Sequence, residues 1–131
     1  MRVEGRLAAG AALVLFCAAG CAQQDAALLV TLTGQYRIPA DGDRLVIDVF
    51  DGTQEIKRAS WCATAAPGCE ALPAMPSLSA SVTLVQSGAG HPLVKINAVL
   101  YLGAAAVVGK GTATASFQGG KTSDIAIVLT P

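Results

Sequence analysis

The sequence predicts an all-β protein, an antiparallel two-sheet sandwich of seven or eight short strands preceded by a hydrophobic signal helix. Three observations predict it. From Ala26 onward apolar residues recur with a period of two rather than 3.6. Turn signals break the alternation at intervals suited to a small antiparallel protein. Fourteen glycines and six prolines punctuate the chain, which has no amphipathic helical window. At 131 residues the length suits one domain.

Taken in order, Leu28, Val30 and Leu32 alternate with Leu29, Thr31 and Thr33. Asp41-Gly42-Asp43 marks a turn into Arg44–Phe50, where Leu45, Ile47 and Val49 share one face. After Asp51-Gly52, Thr53–Ser60 sets Gln54, Glu55, Lys57 and Arg58 around a single Ile56, the composition of a solvated edge guarded against edge-to-edge pairing. Ser79–Gln86 turns Val82 and Leu84 inward. Leu93–Leu102 turns Val94, Ile96, Ala98 and Leu100 inward, with Lys95, Asn97 and Tyr101 on the opposite face. Gly103–Val108 continues this strand or turns back. Gly111–Phe117 alternates Thr and Ser with Ala, and Ser123–Thr130 places Ile125, Ile127 and Leu129 on one face. Gln118-Gly119-Gly120-Lys121 between them predicts a hairpin turn joining adjacent antiparallel strands, because paired glycines supply the positive φ of tight connections.

The start of the chain differs in kind. Leu7–Gly20 carries no charge but is shorter than the roughly 20 residues of a spanning helix. Lying behind Arg2 and Arg6, it reads as the apolar region of an export signal, with Glu4 diluting the positive start. Ala18-Ala19-Gly20-Cys21 resembles the lipobox of bacterial lipoproteins, departing at Ala18, where that family most often has Leu. The resemblance implies that Cys21 receives a diacylglyceryl group on its thiol and becomes the first residue of the mature chain. The chain then divides into a signal peptide (1–20), a lipidated Cys with a short tether (21–25) and a β-sandwich domain (26–131). Two or three acyl chains moor a protein stably, whereas one binds marginally. Ala22, in place of the Asp that retains enteric lipoproteins at the inner membrane, implies passage to the outer membrane in a host that has one.

The strand region resembles the immunoglobulin-like or transthyretin-like modules of exported bacterial lipoproteins. The residues that carry this are Leu45-Ile47-Val49, Val94-Ile96-Ala98-Leu100, Ile125-Ile127-Leu129 and the stretch from Gly109-Lys-Gly-Thr-Ala-Thr-Ala115 to Gly119-Gly-Lys121. The pattern is generic, and the antibody-type Trp packed on an inter-sheet disulfide is absent, since both remaining cysteines lie in one loop.

Export favours oxidation. Cys62 and Cys69 enclose Ala63–Gly68, and Pro67-Gly68 favours a reversal that brings them within disulfide reach. Their spacing misses zinc knuckles and dithiol redox motifs, so a structural disulfide is expected, contributing about 2 kcal/mol. Trp61 opens the long irregular stretch to Ser77. It either anchors a binding surface, as Trp does at energetic hot spots, or covers the end of the core against the disulfide.

Among candidates for chemistry, Asp41, Asp43, Asp48 and Asp51 are the densest carboxylates. Asp41-Gly42-Asp43 resembles the start of a calcium loop, yet Asp48 falls within a strand, so turn capping is the reading and no metal site is expected. His91 is the only histidine and sits in a Gly-rich turn, without a Gly-x-Ser-x-Gly elbow elsewhere. No catalytic residue and no cofactor are expected. Nine basic and nine acidic residues, without a run of either sign, exclude the electrostatic footprint of a nucleic-acid binder or a polybasic membrane patch. The expectation is a lipid-anchored, non-catalytic cell-envelope protein that meets another envelope protein or glycan. The alternative is an exported ligand-binding or hydrolase-inhibitor module presenting Trp61–Ser77.

Overall fold

Alternation of apolar and polar side chains becomes alternation of buried and exposed ones in the computed structural model, which describes residues 2–4, 26–86 and 93–131. The strands are β1 (Arg2–Glu4), β2 (Ala26–Gly34), β3 (Arg44–Asp51), β4 (Gln54–Cys62), β5 (Glu70–Ala71), β6 (Leu78–Gln86), β7 (Leu93–Leu102), β8 (Ala106–Ser116) and β9 (Thr122–Val128). They form two sheets, ordered β1-β6-β2-β9 and β5-β4-β3-β7-β8. Leu28, Val30, Leu32, Val82, Leu84 and Ile127 of the first face Leu45, Ile47, Val49, Ile96, Ala98 and Leu100 of the second, all in one buried cluster. Burying that much aliphatic surface from both inner faces is what holds the two layers together.

The sheets are not purely antiparallel. β9 lies parallel to β2, with Val30 opposite Ile125 and Leu32 opposite Ile127, and β5 lies parallel to β4. The predicted β8–β9 hairpin is therefore corrected: β8 borders one sheet and β9 the other. The turn at Gln118–Lys121 does form, closed by a 3.1 Å bond from the Lys121 amide to the Gln118 carbonyl, with Gly120 at φ 71°. It carries the chain between layers instead of within one. Phe117, only 8% exposed, enters the core at the crossing. Beyond it β9 pairs along the edge of β2 opposite β6 and buries Ile127, and Leu129 just past its end is buried as well.

β8 and β9 nevertheless touch, as the closed corner of the sandwich. Lys110 and Thr130 exchange backbone hydrogen bonds of 2.9 and 3.0 Å. Gly111 permits this approach, since a Cβ there would stand 2.6 Å from Ile127 Cγ2 and 2.8 Å from the Val128 carbonyl oxygen. The stretch after Leu102 turns back at Gly103 (φ 74°) into β8.

In the immunoglobulin constant-type arrangement, the second and fifth strands share a sheet with the first and fourth. Counting from Ala26 and setting aside the two-residue β5, the second and fifth strands here (β3 and β7) lie with the third and sixth. The immunoglobulin-like expectation does not fit this topology.

The predicted signal helix over Leu7–Gly20, together with Cys21 and the tether to Asp25, lies outside the described residues, as does His91. Ahead of them, β1 pairs antiparallel with β6, Arg2 opposite Val85 and Glu4 opposite Thr83. The predicted boundary at residue 20 is thus crossed by one pairing.

Candidate functional site

The register gives the sandwich two distinct ends. β2 and β9 start, and β6 and β8 finish, at the end where Ala26 begins β2. The Ala27 amide bonds the Lys121 carbonyl there at 3.0 Å. The opposite end gathers Gly34–Asp43, Trp61–Ser77, the β7–β8 turn and Leu129–Pro131.

At that far end the predicted disulfide forms, Cys62 to Cys69 with Cα atoms 5.7 Å apart. Pro67 and Gly68, the latter at φ 74°, occupy the central positions of the turn that brings the Cys69 amide 3.1 Å from the Ala66 carbonyl. That is a type II turn, in which Pro presets the first central φ and Gly accepts the positive second. The chain then runs back beside β4 as β5, and the Leu72 amide bonds the Cys62 carbonyl at 2.9 Å.

Trp61–Ser77 turns its large apolar side chains inward while Ala63–Gly68 stays exposed. Trp61 stands opposite Leu45 and is 4% exposed, and Leu72 and Met75 are buried with it. Ile38 and Met75 exchange hydrogen bonds of 2.9 and 3.1 Å that pin the stretch to the end of β2. The role of surface anchor considered for Trp61 loses its premise, because a buried indole presents nothing to a partner. Its geometry is that of a cover over the core.

Tyr36 plugs the same end, a role the sequence reading missed, although Tyr36 and Ile38 extend the period of two beyond Leu32. The ring lies against Gly34 and Gly109, where a Cβ would come within 2.8 and 2.6 Å of it. An open cleft of about 710 Å3 beside it is bordered by Thr33–Tyr36, Ser77–Ser79 and Val128–Pro131.

The four carboxylates disperse. Asp41 accepts from the Arg37 amide at 2.8 Å and from its guanidinium at 3.1 and 3.2 Å. That bonding holds its carboxyl below the usual range. The Asp43 carboxylate accepts the Gly103 amide at 3.1 Å, and its backbone bonds Tyr101 and Ala63, tying the β7–β8 turn to the disulfide loop. Asp48 lies 3.5 Å from Arg58, and its hydrogen bond to Glu55 raises the Glu55 carboxyl. Among the described residues no group of three or more His, Cys, Asp or Glu gathers to hold a metal.

Among the described residues, two surfaces stand out. The first is the β7–β8 turn, where Leu102 (40% exposed) and Val107 (53% exposed) flank Ala104–Ala106. It is braced by the Arg44 guanidinium, which stacks 4.3 Å from the Tyr101 ring centroid and reaches the Ala104 carbonyl at 3.5 Å. The second is the outer edge of β6 over Leu78–Val82, uncharged and proline-free, which β1 does not pair with. Among the described residues no helix is long and apolar enough to cross a membrane.

The chain matches no family model, and comparison with curated proteins and with solved structures finds no similar chain.

Proposed function

We propose that this chain is a lipid-anchored cell-envelope protein, moored through Cys21, whose β-sandwich serves a structural or interaction role without chemistry of its own. The observation that carries the reading is Ala18-Ala19-Gly20-Cys21 behind an uncharged apolar run and a start bearing Arg2 and Arg6. Processing there leaves five residues, Cys21–Asp25, before β2, a reach of at most about 17 Å. The module then rests close to the lipid and points its disulfide-braced end away from it. The Cys62–Cys69 bond supports the reading independently, since such bonds persist in oxidising compartments.

Strand order supports the transthyretin-like half of the resemblance. Counted from Ala26 without β5, the sheets hold the fourth, first and seventh strands and the third, second, fifth and sixth. This is similar to the transthyretin-like arrangement. The alternative, a ligand-binding or inhibitor module presenting Trp61–Ser77, is less well supported, because the large apolar side chains of that stretch, Trp61, Leu72 and Met75, are spent on the core.

The test is metabolic labelling with a fatty-acid analogue in the native host. The expected result is label on the wild-type chain and none on Cys21→Ser, with the variant lost from the membrane fraction. A variant that still takes label, or still fractionates with membranes, overturns the reading.

A further inference from the structure

We infer that the far end of β9 is a glycan-binding ridge, on which an extended envelope glycan bearing a carboxylate lies across Val128 and Thr130 with its acid group on Lys110. The assignment of that glycan to the cell envelope rests on the lipoprotein reading, whereas the ridge is read from its own residues.

Two clefts flank the ridge. One is the cleft of about 710 Å3 beside Tyr36, which runs from Ser77–Ser79 and Thr33–Tyr36 to Val128–Pro131. The other, of about 510 Å3, is bordered by Asn97–Val99, Lys110–Thr112, Val128 and Thr130. Val128 and Thr130 belong to both, and Val128 is 62% exposed. Strand register explains the arrangement. Thr33 stands opposite Ser79 and Val128 on the outer face of one sheet, while Asn97 and Val99 stand opposite Thr112 and Lys110 on the outer face of the other. Gly111 lets the Val128 backbone close over β8, so the two outer faces meet along the end of β9. A ligand longer than either cleft can therefore lie across both.

The lining decides the chemistry. Its polar side chains are hydroxyls and amides, namely Thr33, Gln35, Ser79, Asn97, Thr112 and Thr130, and such groups donate and accept as sugar hydroxyls do. Thr112 Oγ1 donates to Asn97 Oδ1 at 2.7 Å, which fixes that amide and leaves its N–H groups to donate to a ligand. Val99 and Val128 offer apolar ground for the C–H face of a sugar ring. Lys110 is the one charged side chain on either border, and among the described residues no carboxylate pairs with it, the ion pairs being Arg37–Asp41 and Arg58–Asp48. A single ammonium among neutral donors suits one carboxylate on an otherwise uncharged chain.

Other occupants fit less well. An added peptide strand needs unpaired main chain. Here Lys110 and Thr130 already bond one another at 2.9 and 3.0 Å, and the Leu129 amide bonds the Thr33 carbonyl at 2.8 Å. Recognition along the ridge comes from side chains. A nucleic acid calls for a basic stripe, which one lysine does not make. The ridge lies at the disulfide-braced end, so mooring through Cys21 turns it away from the lipid and toward the layer beyond.

The experiment follows the backbone amide resonances of Asn97, Lys110, Thr112 and Thr130 in the isotope-labelled native protein in detergent micelles. The probes are a tetrasaccharide of alternating N-acetylglucosamine and N-acetylmuramic acid, which carries carboxylates, and its neutral counterpart built of N-acetylglucosamine alone. Both are expected to shift these amides saturably, the acidic sugar binding about tenfold tighter, as one charge-assisted hydrogen bond allows. Lys110→Gln, which retains the main-chain bonds to Thr130, is expected to abolish that preference, and Lys110→Arg to keep it. Asn97→Ala is expected to weaken both sugars about fivefold. No saturable shift with either sugar overturns the proposal. So does equal affinity of the wild-type chain for both, or a preference that survives Lys110→Gln. A hexaglutamate peptide that binds the ridge as tightly as the acidic sugar also overturns it, and identifies an acidic peptide as the occupant. Intact mass tests the mooring separately: a native chain without lipid overturns the lipoprotein reading, while the titration still reports on the ridge itself.

Discussion

The two flanking strands β4 and β6 solve the same problem differently. β4 protects itself chemically, with alternating charge along Gln54–Arg58 and a disulfide-closed return at its far end. β6 spends its sequence on the core, burying Leu78, Ala80, Val82 and Leu84, and leaves its edge to be covered by another segment. A strand that contributes fully to the interior has less freedom to defend its margin, because a buried inward charge costs far more than an exposed one.

The contrast predicts unequal sensitivity. Leu84→Ala on β6 is expected to lower stability by about 3 kcal/mol, as deletion of a fully buried Leu does. Ile56→Ala on β4, half-buried, is expected to lower it by about 1 kcal/mol. Urea denaturation of both variants measures the gap, and equal losses would break the comparison. Cys62→Ser combined with Cys69→Ser removes the staple at the far end of β4 and is expected to lower stability by about 2 kcal/mol, with faster amide exchange confined to Ala63–Leu72. A uniform acceleration through β6 would show that the staple supports both margins. Gly111→Ala tests the closed corner. Its Cβ meets backbone at 2.8 Å, so a loss of about 2 kcal/mol in thermal unfolding is expected.

The smallest effects are in acid and have opposite signs. The Asp41 carboxyl is depressed by its hydrogen bonds from Arg37, so its contribution is present above the ordinary Asp pKa and fades as pH falls through the depressed one. The Glu55 carboxyl is raised by its hydrogen bond with Asp48, so its contribution is present below the ordinary Glu pKa and fades as pH rises through the raised one. Between pH 3 and 6, Asp41→Asn should flatten the acid-side loss of stability and Glu55→Gln should steepen it. Shifts of the same sign in both variants would refute the assignment of partners.

Much of this was legible in the amino-acid order. Leu45-Ile47-Val49 and Val94–Leu100 read as strands because each buries one face, and Cys62–Cys69 read as a disulfide because Pro67-Gly68 fixes the reversal locally. The β8–β9 connection did not, for an equally physical reason. Gly119-Gly120 specifies that the chain reverses, but the choice of sheet depends on Phe117 entering the core and on Gly111 admitting Val128, contacts between residues distant in sequence. The end cover was missed because Leu72 and Met75 sit among prolines and alanines with no period to announce them. β5, two residues long, has too little sequence to carry a strand signal.

The parallel registration of β2 with β9 has a mechanical consequence. Seven consecutive pairs join them, from Ala27 opposite Thr122 to Thr33 opposite Val128. A pull on the start of β2, opposed by a load at Pro131, draws the two strands past each other lengthwise. Every rung of that ladder then resists at once, in shear, whereas strands pulled apart from one end give way rung by rung.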